Sequence, residues 1–232
     1  MAASAGGRPA RIAVPDILAA GRELGMRRLS VKAVAVRLGV TATALYRHVD
    51  GRWGLERLVG EDILAQLRLP DDPAHGTEAH LVSFAMRLRE FVLDHPGLAG
   101  YLQVLFPRGD GGQRLLAAEV EALGRRGYAA DAAIVLSSAV ASLTIAMAAS
   151  EENSIAAETA DGDGLERERA AVWQRLSRDD RLGPAHAMLP RPSRPEYVRL
   201  LLTASIRGLV AACPPGRPVA EMVAELAGIG EN

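Results

Sequence analysis

Arg47 carries the chemistry in this chain that is most specific to its setting. Its guanidinium offers two parallel donors, the arrangement that reads the O6 and N7 acceptors of guanine in a DNA major groove. Thr43, four residues earlier, brings a methyl group suited to a thymine, and Ala42 is small enough to let a helix approach closely. Tyr46 shares the same outward face, with His48 at its edge. Lys32 and Arg52 flank the group and suit phosphate oxygens. With Thr41, the candidate DNA-binding set is Lys32, Thr41, Ala42, Thr43, Tyr46, Arg47, His48 and Arg52. Catalytic and metal chemistry find less support. His48, His75, His80, His95 and His186 show no HExxH and no paired-ligand spacing, so no metal and no other cofactor is expected. GDGG (109–112) and DGDG (161–164) lack the strand and helix context of a phosphate loop and read as turns. No GxSxG motif and no Cys–His arrangement is present, and the expectation is a non-enzyme.

The elements that must position these side chains are two short helices in LSVKAVAVRLGVTATALYRHV (29–49). Ser30 suits an N-cap, with Val34, Ala35 and Leu38 following at helical spacing. Gly39 stands where a left-handed turn residue is needed. Thr41 then caps a second helix whose inner face is Leu45 and Val49, four residues apart. The bland alternative is a helical hairpin with a polar face. The flanks decide against it.

From ILAAGRELG (17–25), through LSVKAVAVRLGV and TALYRHV, into WGLERLVGEDIL (53–64), the chain resembles the tetracycline-repressor (TetR) family of one-component transcription regulators. An apolar helix, a gap, the two-helix unit, an aromatic–x–His pair and another amphipathic helix follow in that family's order and spacing. LREFVLDHPGLA (88–99) and ALGRRGYAADAAIVLSSAVASLTIA (122–146) are similar, more loosely, to the ligand-binding half of the tetracycline repressor subgroup. The resemblance implies that Tyr46 and His48 bind DNA backbone oxygens and that His95 faces a ligand cavity. It also marks a departure. The tetracycline repressor holds a magnesium–drug chelate with a histidine in the helix matching 131–150, where this chain has Ser142 and no histidine. An apolar or aromatic organic effector bound without metal is therefore expected.

Composition and charge agree with this division. The chain is 49% hydrophobic and 4% aromatic, dominated by helix formers, and has no alternating β-branched runs, so an all-α fold is expected. Residues 1–57 carry ten Lys/Arg against four Asp/Glu, and residues 58–232 carry seventeen against twenty-four. A basic head of +6 on an acidic body of −7 points to a polyanionic partner for the head alone. Residues 1–13 form either a basic arm that reaches DNA or a tail without a role. Cys213 is the sole cysteine, which excludes an intrachain disulfide and a thiol-built zinc site and suggests a cytoplasmic protein. Residues 132–150 are uncharged and approach membrane-spanning length, but Ala and Ser dominate them without interfacial anchors, so a buried helix is expected and no membrane partner.

The expected organisation is a helix-turn-helix DNA-binding domain over 1–67, including a linking helix at 52–67, and a helical ligand-binding and dimerisation domain over 68–232. Pro70, Pro73 and Gly76 mark the break. Helices are expected at 77–95, 98–106, 113–126, 131–150, 165–177, 195–212 and 219–226, with 151–194 read as a mobile, acidic and Pro-rich surface excursion. Candidate effector residues are Phe84, Leu88, His95, Tyr101, Phe106, Ser142, Met147 and Trp173, a largely apolar set. Candidate dimer residues are Ala139, Ser142, Ala146, Leu201, Ala204, Ser205 and Gly208, small enough to let helices approach. The function expected is a ligand-responsive regulator of transcription, a repressor that binds a near-palindromic operator as a homodimer and leaves it on binding a small organic effector. The competing class is a helical scaffold whose helix-turn-helix no longer binds DNA.

Overall fold

The structure, a computed structural model, describes residues 12–228. All regular structure among them is helical, as composition predicts, and no strand is present among them. The basic arm expected over residues 1–13 lies almost wholly outside the described residues. The chain divides into two compact units, Met1–Leu69 with Asp94–Ala118, and Pro70–Leu93 with Glu119–Asn232.

The first unit opens with α1 (Val14–Leu24). Pro15 sits in its first turn, and the Ala13 amide donates to Asp16 Oδ2 at 2.8 Å, which closes the helix start. A single 3-10 turn, Met26–Arg28, leads to α2 (Val31–Leu38), α3 (Ala42–Leu45) and α4 (Gly51–Leu64). Ile17, Val34, Leu45, Leu55, Val59 and Ile63 make the core between them. They lie on one stripe of each helix, so burying them against one another fixes how the helices cross. Two later elements complete the unit, α6 (Leu98–Val104) and the start of α7 (Asp110–Gly124). Their attachment to α4 is close. The Tyr101 ring lies over Gly60, where an added Cβ would come within 2.7 Å of the ring carbons.

The second unit contains α5 (Thr77–Asp94), the rest of α7, α8 (Ala130–Ser177), α9 (Leu182–Ala187), α10 (Arg194–Ala212) and α11 (Val219–Ala227). Leu81, Phe84, Ala85, Leu88 and Val92 of α5 are buried, as are Leu136, Val140, Ile145 and Ala148 of α8 and Val198, Leu202 and Ile206 of α10. Arg89 of α5 and Glu151 of α8 form a buried two-pronged ion pair. Such a pair costs desolvation but leaves no charge uncompensated. Cys213 ends α10 and is fully buried; burial pushes its thiol pKa up.

Residues 151–194 differ from the sequence reading. Instead of an excursion broken at DGDG, α8 runs for 48 residues, with one non-helical residue, Asp161. The Asp161 carboxylate accepts from the Gly164 amide at 2.9 Å, so the interruption is capped and becomes a kink rather than a loop. By length and composition α8 could cross a membrane, and 44% of its most apolar window is buried within the chain.

Candidate nucleic-acid interface

The two-helix unit is built by caps. Ser30 Oγ accepts from the Ala33 amide at 3.1 Å and opens α2. Gly39 ends it at φ +66°, ψ 30°, with the Val40 amide returning to the Ala35 carbonyl. Thr41 Oγ1 accepts from the Ala44 amide at 3.3 Å and opens α3. The second helix is shorter than its pattern implies. Regular α-helix stops at Leu45, and one further turn closes through His48 N to Leu45 O and Val49 N to Leu45 O. That tightening sets Leu45 and Val49 inward, both buried.

Opposite them Thr41, Ala42, Thr43, Tyr46, Arg47 and His48 are all exposed, as is Lys32 on α2. The structure thus leaves these candidate DNA-binding residues accessible. Among the described residues neither Lys32 nor Arg47 is held by a carboxylate. A cation without an internal partner keeps its full charge for an external one.

Arg52 is different. Its Nε donates to Glu56 Oε1 at 2.6 Å, one turn along α4, and its guanidinium lies 5.9 Å from the exposed Trp53 ring. Glu56 is mostly covered and also faces Arg108 at 3.7 Å. Arg108 in turn lies 5.3 Å from Trp53 and 4.4 Å over Tyr101, and donates to the carbonyls of Leu105 and Tyr101. Nothing in the periodicity of 53–112 signals this cluster. It is a contact between segments fifty residues apart, made by residues that each look unremarkable alone.

Tyr101, expected at a ligand cavity, is buried against α4. Its hydroxyl donates to Glu61 Oε1 at 2.7 Å, and Glu61 Oε2 accepts from the Gly112 amide at 2.9 Å. Burial, with the adjacent Glu61 carboxylate, holds the phenol well above its ordinary pKa. An open cleft of about 480 Å³ lies beside this contact, lined among others by His48, Asp50, Arg57, Glu61, Arg108 and Asp110. His95, half-buried, and Phe106, partly exposed, also belong to the first unit.

The other effector candidates lie in the second unit. Phe84 and Leu88 are buried on α5, Met147 is half-buried on α8, and Ser142 is exposed there. Trp173 is not gathered with them. On the order of 40 Å of helix separates it from Met147 at 1.5 Å per residue, and its ring meets His186 edge-on at 5.5 Å and Arg191 at 5.3 Å. Among the dimer candidates, Ser142, Ala146, Ala204, Ser205 and Gly208 are exposed, and Ala139 and Leu201 are half-buried. α8 and α10 touch within the unit. Each presents an uncharged exposed stripe at helical spacing: Ile134, Ser138, Ser142 and Ala146 on one, Tyr197, Leu200, Ala204, Gly208 and Ala211 on the other.

Comparison with known proteins places this architecture. No family model matches the chain. A curated protein of Saccharopolyspora erythraea, described as an HTH-type transcriptional regulator, is 33% identical over 75 residues. That match spans about a third of each chain (32% of both). Among solved structures, the TetR family protein ActR of Streptomyces coelicolor in complex with actinorhodin superposes with a TM-score of 0.70. It is 21% identical, covering 90% of this chain and 100% of that one. Apo ActR gives 0.71 at 18% identity, covering 88% and 100%. A TetR variant from Acinetobacter baumannii in complex with minocycline gives 0.59 at 18% identity, covering 86% and 95%. This chain has the all-helical fold of the TetR-family transcription regulators.

Proposed function

We propose that the chain is a TetR-type transcription regulator that binds a near-palindromic operator as a homodimer in the cytoplasm and is released from it by a small organic effector, acting as a repressor. Residues 1–67 are the DNA-binding domain, and residues 68–232 carry dimerisation and effector sensing. The observation that carries this reading is the exposed face of α3 and its following turn, where Thr43, Tyr46 and Arg47 stand over buried Leu45 and Val49 with Arg47 unengaged. Arg47 reads guanine, Thr43 touches a thymine methyl, Tyr46 and His48 hold backbone oxygens, and Lys32 and Arg52 hold phosphates. Thr41 and Ala42 allow the helix start to approach.

Two-fold pairing follows from the size of that surface. One short recognition helix reads too few bases for useful specificity, and two of them about 34–36 Å apart read successive major grooves. The uncharged stripes on α8 and α10 are the faces proposed to pair. A largely apolar or aromatic effector held without metal suits Phe84, Leu88 and Met147, with Ser142 where a histidine would ligate magnesium. The ActR complexes with actinorhodin and with (S)-DNPA support a small organic ligand for this fold.

Selection of bound fragments from the source genome tests the whole reading. The expected result is enrichment of a short inverted repeat whose binding weakens steeply with salt. Equal recovery of all fragments, with no salt dependence, would leave a helical scaffold instead. Titration of the recovered complex with tetracycline and magnesium tests the effector class; release by the drug that a chelator reverses would overturn the metal-free assignment.

A further inference from the structure

The function proposed above leaves a buried histidine of α5 unused. His80 on α5 is 3% exposed. Its Nδ1 lies 3.1 Å from Asp71 Oδ1, and its Nε2 lies 3.0 Å from Glu119 Oε2. An ionised carboxylate only accepts hydrogen bonds, so between two of them both ring nitrogens donate, and only the imidazolium has two N–H groups. The surrounding charges point the same way. Asp71 is gripped by Arg126 and then Arg125, which hold its carboxyl at about 2, so the shared proton does not reside there. Glu119 is itself 3% exposed, and His80 is its one ion-pair partner among the described residues. The remaining neighbours are already paired: Glu121 with Arg125, Asp72 with His75 at 3.7 Å, and Glu78 with Arg207 of α10. None of them stands in for His80 at Glu119.

We propose that His80 is a pH-operated clasp: as an imidazolium between Asp71 and Glu119 it ties the segment 70–76 to α5 and α7, and it lets that segment loosen when the ring loses a proton. The order of loss follows from the partners. Glu119 has no other side-chain donor among the described residues, so the proton that stays is the one on Nε2. The lone pair left on Nδ1 then faces Asp71, which keeps its arginines but loses its bond to α5. The contact to Asp71 exists only for the charged ring, so its stabilisation is present on the acid side and is lost as pH rises through the ring's titration. Segment 70–76 opens the second unit directly after Leu69. The clasp adds a pH-dependent tie to the hold that Arg126 keeps on this segment through the Asp72 and His75 carbonyls.

Imidazole nitrogen NMR on the full chain, paired with amide hydrogen exchange corrected for its intrinsic pH dependence, tests this. On the acid side of the ring's titration both His80 nitrogens are expected to be protonated and on the alkaline side only Nε2, with corrected exchange at Ala74, His75 and His80 rising about tenfold through the same step. Glu119→Gln and His80→Gln each remove the need for a doubly protonated ring, so their corrected exchange is expected to be flat with pH. A neutral ring of one tautomer at both ends, or exchange in the unaltered chain that does not change through the ring's titration, overturns the proposal.

Discussion

Arg47 and Arg52 are the same residue type five positions apart, yet the structure gives them different surroundings. Arg47 is unengaged on the outward face, so Arg47→Ala is expected to cost about 1–3 kcal/mol on the operator and little on random DNA. Arg52→Ala weakens both alike, and competition binding on the two DNAs separates the cases. Equal losses for Arg47→Ala would remove it from base reading. Glu56 adds a restraint at the same scale. It holds Arg52 in an i,i+4 pair and shields part of its charge. Glu56→Gln is expected to raise affinity for all sequences severalfold at low salt and to steepen the salt dependence. Unchanged affinity would mean that the pair opens at no cost when DNA arrives.

At the scale of elements, the turn between α2 and α3 and the contact of α6 with α4 fail in different ways when crowded. Gly39 has positive φ and open space around its Cβ position, so Gly39→Ala costs only the left-handed backbone, about 1 kcal/mol. Gly60→Ala drives a methyl into the Tyr101 ring, which Glu61 and Arg108 hold in place, and overpacking of that kind costs about 1–3 kcal/mol. Chemical denaturation is expected to rank Gly60→Ala as the more destabilising; the reverse order would show that Tyr101 moves freely. The same two places explain what the sequence made legible. Ser30, Gly39 and Thr41 are local signals, each acting on residues three or four away, and the structure matches them closely. Tyr101 is not local. Its partners Gly60, Glu61 and Arg108 lie up to forty-one residues away, and an aromatic between apolar neighbours looks alike whether it lines a cavity or seals a helix contact. Asp161 was misleading for a related reason. An Asp that opens a DGDG run reads as a break, and whether its carboxylate caps the amide three residues on depends on the backbone on both sides.

For the whole molecule, the asymmetry of charge and the uncharged stripes on α8 and α10 make one demand. Under the proposed function a basic head with too little surface for specific reading is doubled, and two uncharged faces are available to do it. Sedimentation at micromolar concentration is expected to give twice the 24.6 kDa chain mass. Gly208→Arg, which places a charge on the α10 stripe, is expected to shift the equilibrium toward the single chain and to weaken operator binding with it. A monomer that still binds the operator at full affinity would end the two-fold model. The second unit also carries its own clock. Cys213 is the only thiol in the chain, it is fully buried, and burial keeps it protonated at neutral pH. A thiol reagent added to the native protein must wait for α10 to come away before it can react. The labelling rate, read without denaturant at reagent concentrations that outpace reclosing, is then the opening rate at that helix end. Any bound molecule that steadies the second unit will lengthen the wait as the unoccupied fraction falls, so an effector can be sought by timing one cysteine.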